Sequence, residues 1–196
     1  MRAPDADVHM TVQRRLRAVP RDLAGRAHVN GMVFGGEALL PPGGPPPSEA
    51  VWFMLHNQML PSELLLMRRN GQEVMRHRLA GSSCHGSVFW QTSMIYLLSA
   101  VGGVGILAAN GSTQALWQAG SAYFSKGLAV VDDVAYFGLA VKRARFNRND
   151  VACSVAALHL PSGALLWQQP LPFPGLINEI AAFGLPTSCT IQACTT

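Results

Sequence analysis

From Ala50 onward the apolar residues fall into short dense runs separated by turn residues, and those runs set the elements expected. Val155 to Leu160, VAALHL, is too apolar for a solvated loop and too short for a helix, which predicts a largely buried strand. Pro161-Ser162-Gly163 then supplies a fixed φ and a residue tolerant of positive φ, the chemistry of a reversal. Ala164 to Trp167 leads out again, so the stretch predicts a hairpin.

The same unit recurs. Glu63 to Leu79 reads as a strand, an Asn70-Gly71 turn and a second strand, with Met75 where Trp167 stands. Gly105 to Gln118 repeats it through Asn110-Gly111, ending on Leu116-Trp117-Gln118 in line with Leu166-Trp167-Gln168. The upstream halves align as well: His85-Gly86 leads to Tyr96 as Lys126-Gly127 leads to Tyr136. Four short strands recurring roughly every 40 to 50 residues is the period of a β-propeller blade.

The strand ending in Ala157-Leu158-His159-Leu160-Pro161-Ser162-Gly163 and running to Trp167, echoed by Ala115-Leu116-Trp117, resembles the repeat of quinoprotein-like propellers. That family includes pyrroloquinoline-quinone (PQQ) alcohol dehydrogenases and bacterial outer-membrane assembly lipoproteins. The resemblance covers about Ala50 to Leu171 and implies an all-β, partial β-propeller-like array of four-stranded antiparallel blades. The first copy lacks the tryptophan, and His159 stands where the family often has aspartate. The adjacent cysteines, calcium ligands and catalytic aspartate of the dehydrogenases have no counterpart here, so no cofactor and no catalytic residue is carried over.

The expected organisation is a basic disordered arm over 1–27, a strand pair over 28–40 and a Pro/Gly linker over 41–49. A partial repeat over 50–80 and repeats over 81–120 and 121–172 follow, and Gly175 to Ile180 is expected to open a further blade before an irregular tail. Three copies fall short of the four to eight blades that close a propeller. The expectation is therefore a piece of a larger propeller, or one completed by other chains.

Composition sharpens this picture. Hydrophobic residues make up 49% and charged residues 13%, against about 25% charged in a typical soluble protein. Such a surface calls for a protein partner, self-association through blade edges, or a membrane. Leu79 to Ser125 carries no Asp, Glu, Lys or Arg, and 88–109 is long enough for a helical span. Against that span stand Gln91, Thr92, Ser93 and the Gly102-Gly103-Val104-Gly105 run, which the repeat assigns to strands and turns. A membrane-anchored protein and a degenerate quinoprotein enzyme remain the alternatives to a non-catalytic binding or scaffold protein.

Net charge is +4, with six arginines between Arg2 and Arg26. No aromatic-interleaved basic stripe or reader motif accompanies them, so nucleic acid is not the expected partner. The arm lacks the apolar core of a secretory signal and has only the outline of an organelle transit peptide, which leaves the compartment open. The basic group that stands out is Lys142, Arg143, Arg145 and Arg148, inserted between two strands of the last repeat. Loops on a repeated scaffold carry binding groups, and arginine forks suit carboxylate or phosphate. A solvated charged loop is the alternative.

Other chemistry is sparse. Cys84 adjoins His85, but neighbours in a strand point to opposite faces, and no zinc spacing exists. Cys189 and Cys194 would close a small loop in an oxidising compartment. Asn110-Gly111-Ser112 matches a glycosylation acceptor, although a hairpin turn also accounts for it. No nucleophile elbow, phosphate loop or dinucleotide fingerprint is present.

Overall fold

The computed structural model describes residues 28–57 and 60–182. The expected arm over 1–27 and the pair Cys189 and Cys194 lie outside the described residues. Among the described residues twelve strands form three sheets of four, each an antiparallel meander. The first sheet holds β1 (His28–Phe34), β2 (Ala50–His56), β3 (Pro61–Arg68) and β4 (Glu73–Ser82). The second holds β5 (His85–Trp90), β6 (Ser93–Leu98), β7 (Gly103–Leu107) and β8 (Thr113–Gln118). The third holds β9 (Tyr123–Val131), β10 (Val134–Val141), β11 (Cys153–His159) and β12 (Ala164–Pro170). Each sheet runs from an inner first strand to an outer fourth, a propeller-like, all-β array of blades.

Alternation within the strands builds the core between sheets. Ala50, Trp52, Met54, Leu64 and Leu66 on one face of the first sheet share a buried cluster with Met94, Tyr96, Leu98 and Leu107 of the second. Ile95, Leu97 and Val104 on the opposite face of the second sheet pack with Ala135, Phe137, Leu139, Ala156 and Leu158 of the third. The middle sheet is therefore apolar on both faces. That explains why its strands read as continuous runs instead of alternating ones.

Register shows what repeats. Each outer strand carries an extra residue at one shared place, Val74, Leu116 and Leu166, immediately before Met75, Trp117 and Trp167, and β4 has a second irregularity opposite Pro61 and Glu63. Each inner strand carries one too, at Asn30, Gly86 and Gly127. Gly86 and Gly127 have φ of 55° and 72°, a backbone region that glycine enters without penalty and that such bulges use.

Several expectations are corrected by these registers. The stretch 28–40 holds one strand, not two: β1 pairs with β2 and completes the first sheet, while Glu37–Leu39 forms a 3-10 turn. The Pro/Gly run after it joins β1 to β2 inside one sheet, since proline offers no ladder donor. Tyr96 and Tyr136 do not correspond. The bulge at Gly86 lies opposite Leu97 and Tyr96, and that at Gly127 opposite Gly138 and Phe137, so Tyr96 matches Phe137.

The helical span expected as an alternative over 88–109 is absent. Those residues belong to β5, β6, β7 and their turns, and no described helix is long and apolar enough to cross a membrane. Gly175 to Ile180 forms no strand. Its backbone crosses the far face of the third sheet, where Leu171 and Leu176 pack on Ala140, Val151 and Cys153.

Candidate functional site

The antiparallel registers bring one end of every strand pair to a common rim. His56, the start of β5 at His85, the start of β9 at Tyr123 and the insertion after Val141 all lie there. Side chains from the three sheets meet in a row along it. The His56 and His85 rings stand edge to face at 5.8 Å, and His85 meets Phe124 in the same way at 5.4 Å. The Arg148 guanidinium carbon then sits 5.1 Å from the centroid of the Phe124 ring. This is cation–π distance, and Phe124 is itself buried.

Local causes hold each member. His85 Nδ1 lies 2.8 Å from the Ser83 carbonyl oxygen and 3.0 Å from Ser99 Oγ. The carbonyl can only accept, so Nδ1 carries the proton. Arg148 rides on a 3-10 turn, Arg145–Asp150, that folds the insertion back over β9. Lys142 donates from Nζ to the Ala100 carbonyl at 3.2 Å, and its backbone N–H donates to Ala122 at 2.8 Å. The insertion is thereby tied to both the second and the third sheet.

Of the four basic residues expected to bind, the structure places Lys142 and Arg143 exposed on this rim and Arg148 half-buried against Phe124. Arg145 opens the 3-10 turn. The sequence did not single out His56, His85 or Phe124 as their neighbours. Spacing gave no signal for them, because His56 and His85 come from different sheets and meet only through packing.

The remaining chemistry is structural in form. Cys84 is fully buried in the core between the first two sheets, and burial pushes its thiol up to about 12. His85 belongs to the rim, so the two neighbours do not form a working pair. His77 stacks on Trp52 with centroids 6.0 Å apart, and desolvation lowers its pKa. Asn110 Oδ1 accepts from the Ser112 backbone N–H at 2.9 Å and hydroxyl at 2.7 Å, closing the turn. His159 Nδ1 lies 2.8 Å from Ser162 Oγ at the equivalent reversal of the third sheet.

At the opposite rim a cleft of ≈ 360 Å³ is lined by Gly36, Glu37, Leu39, Phe89, Gln91 and Thr92 among others, with one carboxylate and no second ionisable group. Beside it, the Asp133 carboxylate accepts from Trp90 Nε1 at 3.1 Å and Gln91 Nε2 at 3.3 Å, linking the second sheet to the third. Among the described residues no group of three His, Cys, Asp or Glu converges as metal ligands would.

No protein-family model and no curated protein matches the chain. Among solved structures it is similar to a chain of a nidogen/laminin complex, at 12% sequence identity and a TM-score of 0.49. The match covers 76% of this chain and 51% of that one, so the chain spans about half the length of that structure. The propeller-like assignment rests on the three four-stranded sheets themselves.

Proposed function

We propose that this protein is a non-catalytic binding scaffold whose rim docks an acidic segment of a protein partner. The observation that carries the reading is the row Arg148, Phe124, His85 and His56, which runs across all three sheets. Lys142 and Arg143 stand exposed beside it. Cationic groups fixed on a rigid scaffold attract carboxylates at modest entropic cost, and an arginine stacked on an aromatic ring keeps its fork free for bidentate acceptors.

The test is fluorescence anisotropy with a labelled glutamate-rich peptide and a glutamine-substituted control. Binding is expected for the acidic peptide alone, weakening as salt rises, because charge pairs at an exposed rim are screened. Equal affinity for both peptides, or affinity unchanged by the Arg148→Ala and Lys142→Ala pair, would overturn the reading.

A further inference from the structure

The cleft at the rim away from the basic row takes its walls from two sheets. In β5, Phe89 lies opposite Met94 on the face turned to the first sheet, while Trp90 faces the third. The turn after β1 meets the Cε1–Cζ edge of the Phe89 ring at a glycine. A Cβ on Gly36 would fall on those two atoms, so only a residue without one admits the ring. Gly35 and Gly36 have φ of 90° and 81°, a region glycine enters without penalty. The turn is fixed in place: the Gly35 N–H donates to the Ala50 carbonyl at 3.3 Å, and the Gly35 carbonyl accepts from Trp52 Nε1 at 3.1 Å. Glu37 then opens the 3-10 turn in an exposed position, and Leu39 ends it, buried.

The remaining wall is the reversal between β5 and β6, Gln91-Thr92. Gln91 has φ of 52°, where a two-residue turn ordinarily takes Asn or Gly. Its side chain offsets that cost by donating from Nε2 to Asp133 at 3.3 Å. An ionised carboxylate only accepts, so this bond fixes the amide and leaves Oε1 as the acceptor that Gln91 offers. The Glu37 carboxylate forms no ion pair among the described residues. A volume of ≈ 360 Å³ is thus bounded by an aromatic ring, a carboxylate, an amide oxygen and the Thr92 hydroxyl, and none of the described residues lining it is Lys or Arg. That volume is at the small end of ligand sites, the scale of one side chain. Glu37 disfavours an anion. A planar guanidinium answers every wall at once, stacking on the ring while its fork donates to the carboxylate and the amide oxygen.

We propose that this cleft binds an arginine side chain presented by a protein partner, with the guanidinium stacked on Phe89 and donating to Glu37 and to Gln91 Oε1. Glu37, Gln91 and Thr92 are exposed at the mouth, so the side chain can enter from a polypeptide lying across the rim. A lysine would reach the same carboxylate as a point charge but could not stack a planar group on the ring. The site is separate from the basic row and does not rest on the acidic-segment reading.

The experiment is an amide-resolved NMR titration of the full chain with a short glycine peptide carrying one central arginine. The same peptide with lysine or with citrulline, the uncharged isostere of arginine, and free agmatine serve as the comparisons. The arginine peptide is expected to move the amide signals of Gly36, Glu37, Gln91 and Thr92. The lysine peptide should bind more weakly and the citrulline peptide more weakly still. Glu37→Gln, at an exposed position that leaves the fold intact, should weaken the arginine peptide about three- to tenfold. Phe89→Leu, checked for folding by circular dichroism, should weaken it about two- to fivefold. The proposal is overturned if the citrulline or lysine peptide binds as tightly as the arginine peptide, if the shifted signals lie elsewhere, or if Glu37→Gln leaves the affinity unchanged. Agmatine binding where the peptide does not would also overturn it, because the ligand would then be a free small molecule and no partner's side chain. These probes are cationic and report at the rim opposite the basic row, so their outcome is independent of the acidic-peptide test.

Discussion

Gly105→Ala tests how the first two sheets are held together. A Cβ at Gly105 would lie 2.6 Å from Tyr96 Cζ and 2.9 Å from its hydroxyl oxygen. Tyr96 has no room to give way: it is fully buried, and its hydroxyl accepts from the Ala80 N–H at 3.3 Å. Forcing a methyl into such packing costs about 1–3 kcal/mol. Replacing a strand glycine by alanine returns roughly 0.5–1 kcal/mol through the unfolded chain. The net expectation is destabilisation of about 1–2 kcal/mol, or a melting point lower by about 2–8 °C for a chain of this size. Chemical and thermal melts followed by circular dichroism measure it. A variant as stable as the parent would refute the seating of Tyr96 against β7, and with it the packing of the second sheet on the first.

Other consequences can be checked in parallel. Asp133→Ala removes the acceptor shared by Trp90 and Gln91 and should cost about 1–2 kcal/mol in urea unfolding, with part regained by Asp133→Asn. Burial raises the Cys84 thiol from 9.0 and the Tyr96 hydroxyl from 10.0, each to about 12. The unfolded chain therefore releases these protons first, and stability should be full below pH 9 and fall progressively toward pH 12. Urea midpoints at pH 8 and pH 10.5 test that sign, and Cys84 should resist thiol reagents at pH 8 until the chain unfolds. Arg148→Ala should weaken acidic-peptide binding about two- to fivefold at low salt, with the melting point little changed, as anisotropy and dichroism would show.

What could be read in advance followed the reach of each signal. Turn chemistry is local, so Asn70-Gly71, Asn110-Gly111 and Pro161-Ser162-Gly163 each mark a reversal, and the strands flanking them were legible. The outer bulges preserve the facing of Met75, Trp117 and Trp167, which is why aligning those residues worked. Tyr96 and Tyr136 misled because a shared ring hid a one-residue slip: both copies carry the same bulge, at Gly86 and Gly127, Tyr96 matches Phe137, and a slip of one puts a side chain on the opposite face. β1 was misjudged because a run of prolines between two paired strands is the usual mark of a boundary, yet here it spans a loop inside one sheet. Of the rim, only the contiguous basic residues were visible. His56, His85 and Phe124 lie far apart in the chain and acquire a common role only once inner strands stand side by side.

The distribution of charge ties these features together. Arg76 at the outer strand of the first sheet pairs with Glu63 at 2.8 Å and Glu73 at 2.9 Å, so that edge carries ions that discourage further pairing. From Val151 to Asn178 there is no Asp, Glu, Lys or Arg, and every residue of β12 is exposed, including Leu166 and Trp167. The third sheet thus lacks the electrostatic protection given to the first. Its inner positions are small instead, Gly127, Ala129 and Gly138, and the chain lays Ile177 into that hollow. The outer edge of the first sheet thus carries an ion cluster, and Ile177 covers the small residues on the far face of the third. The basic rim, built where the three sheets meet, is where the proposed acidic partner would find both charge and a fixed frame.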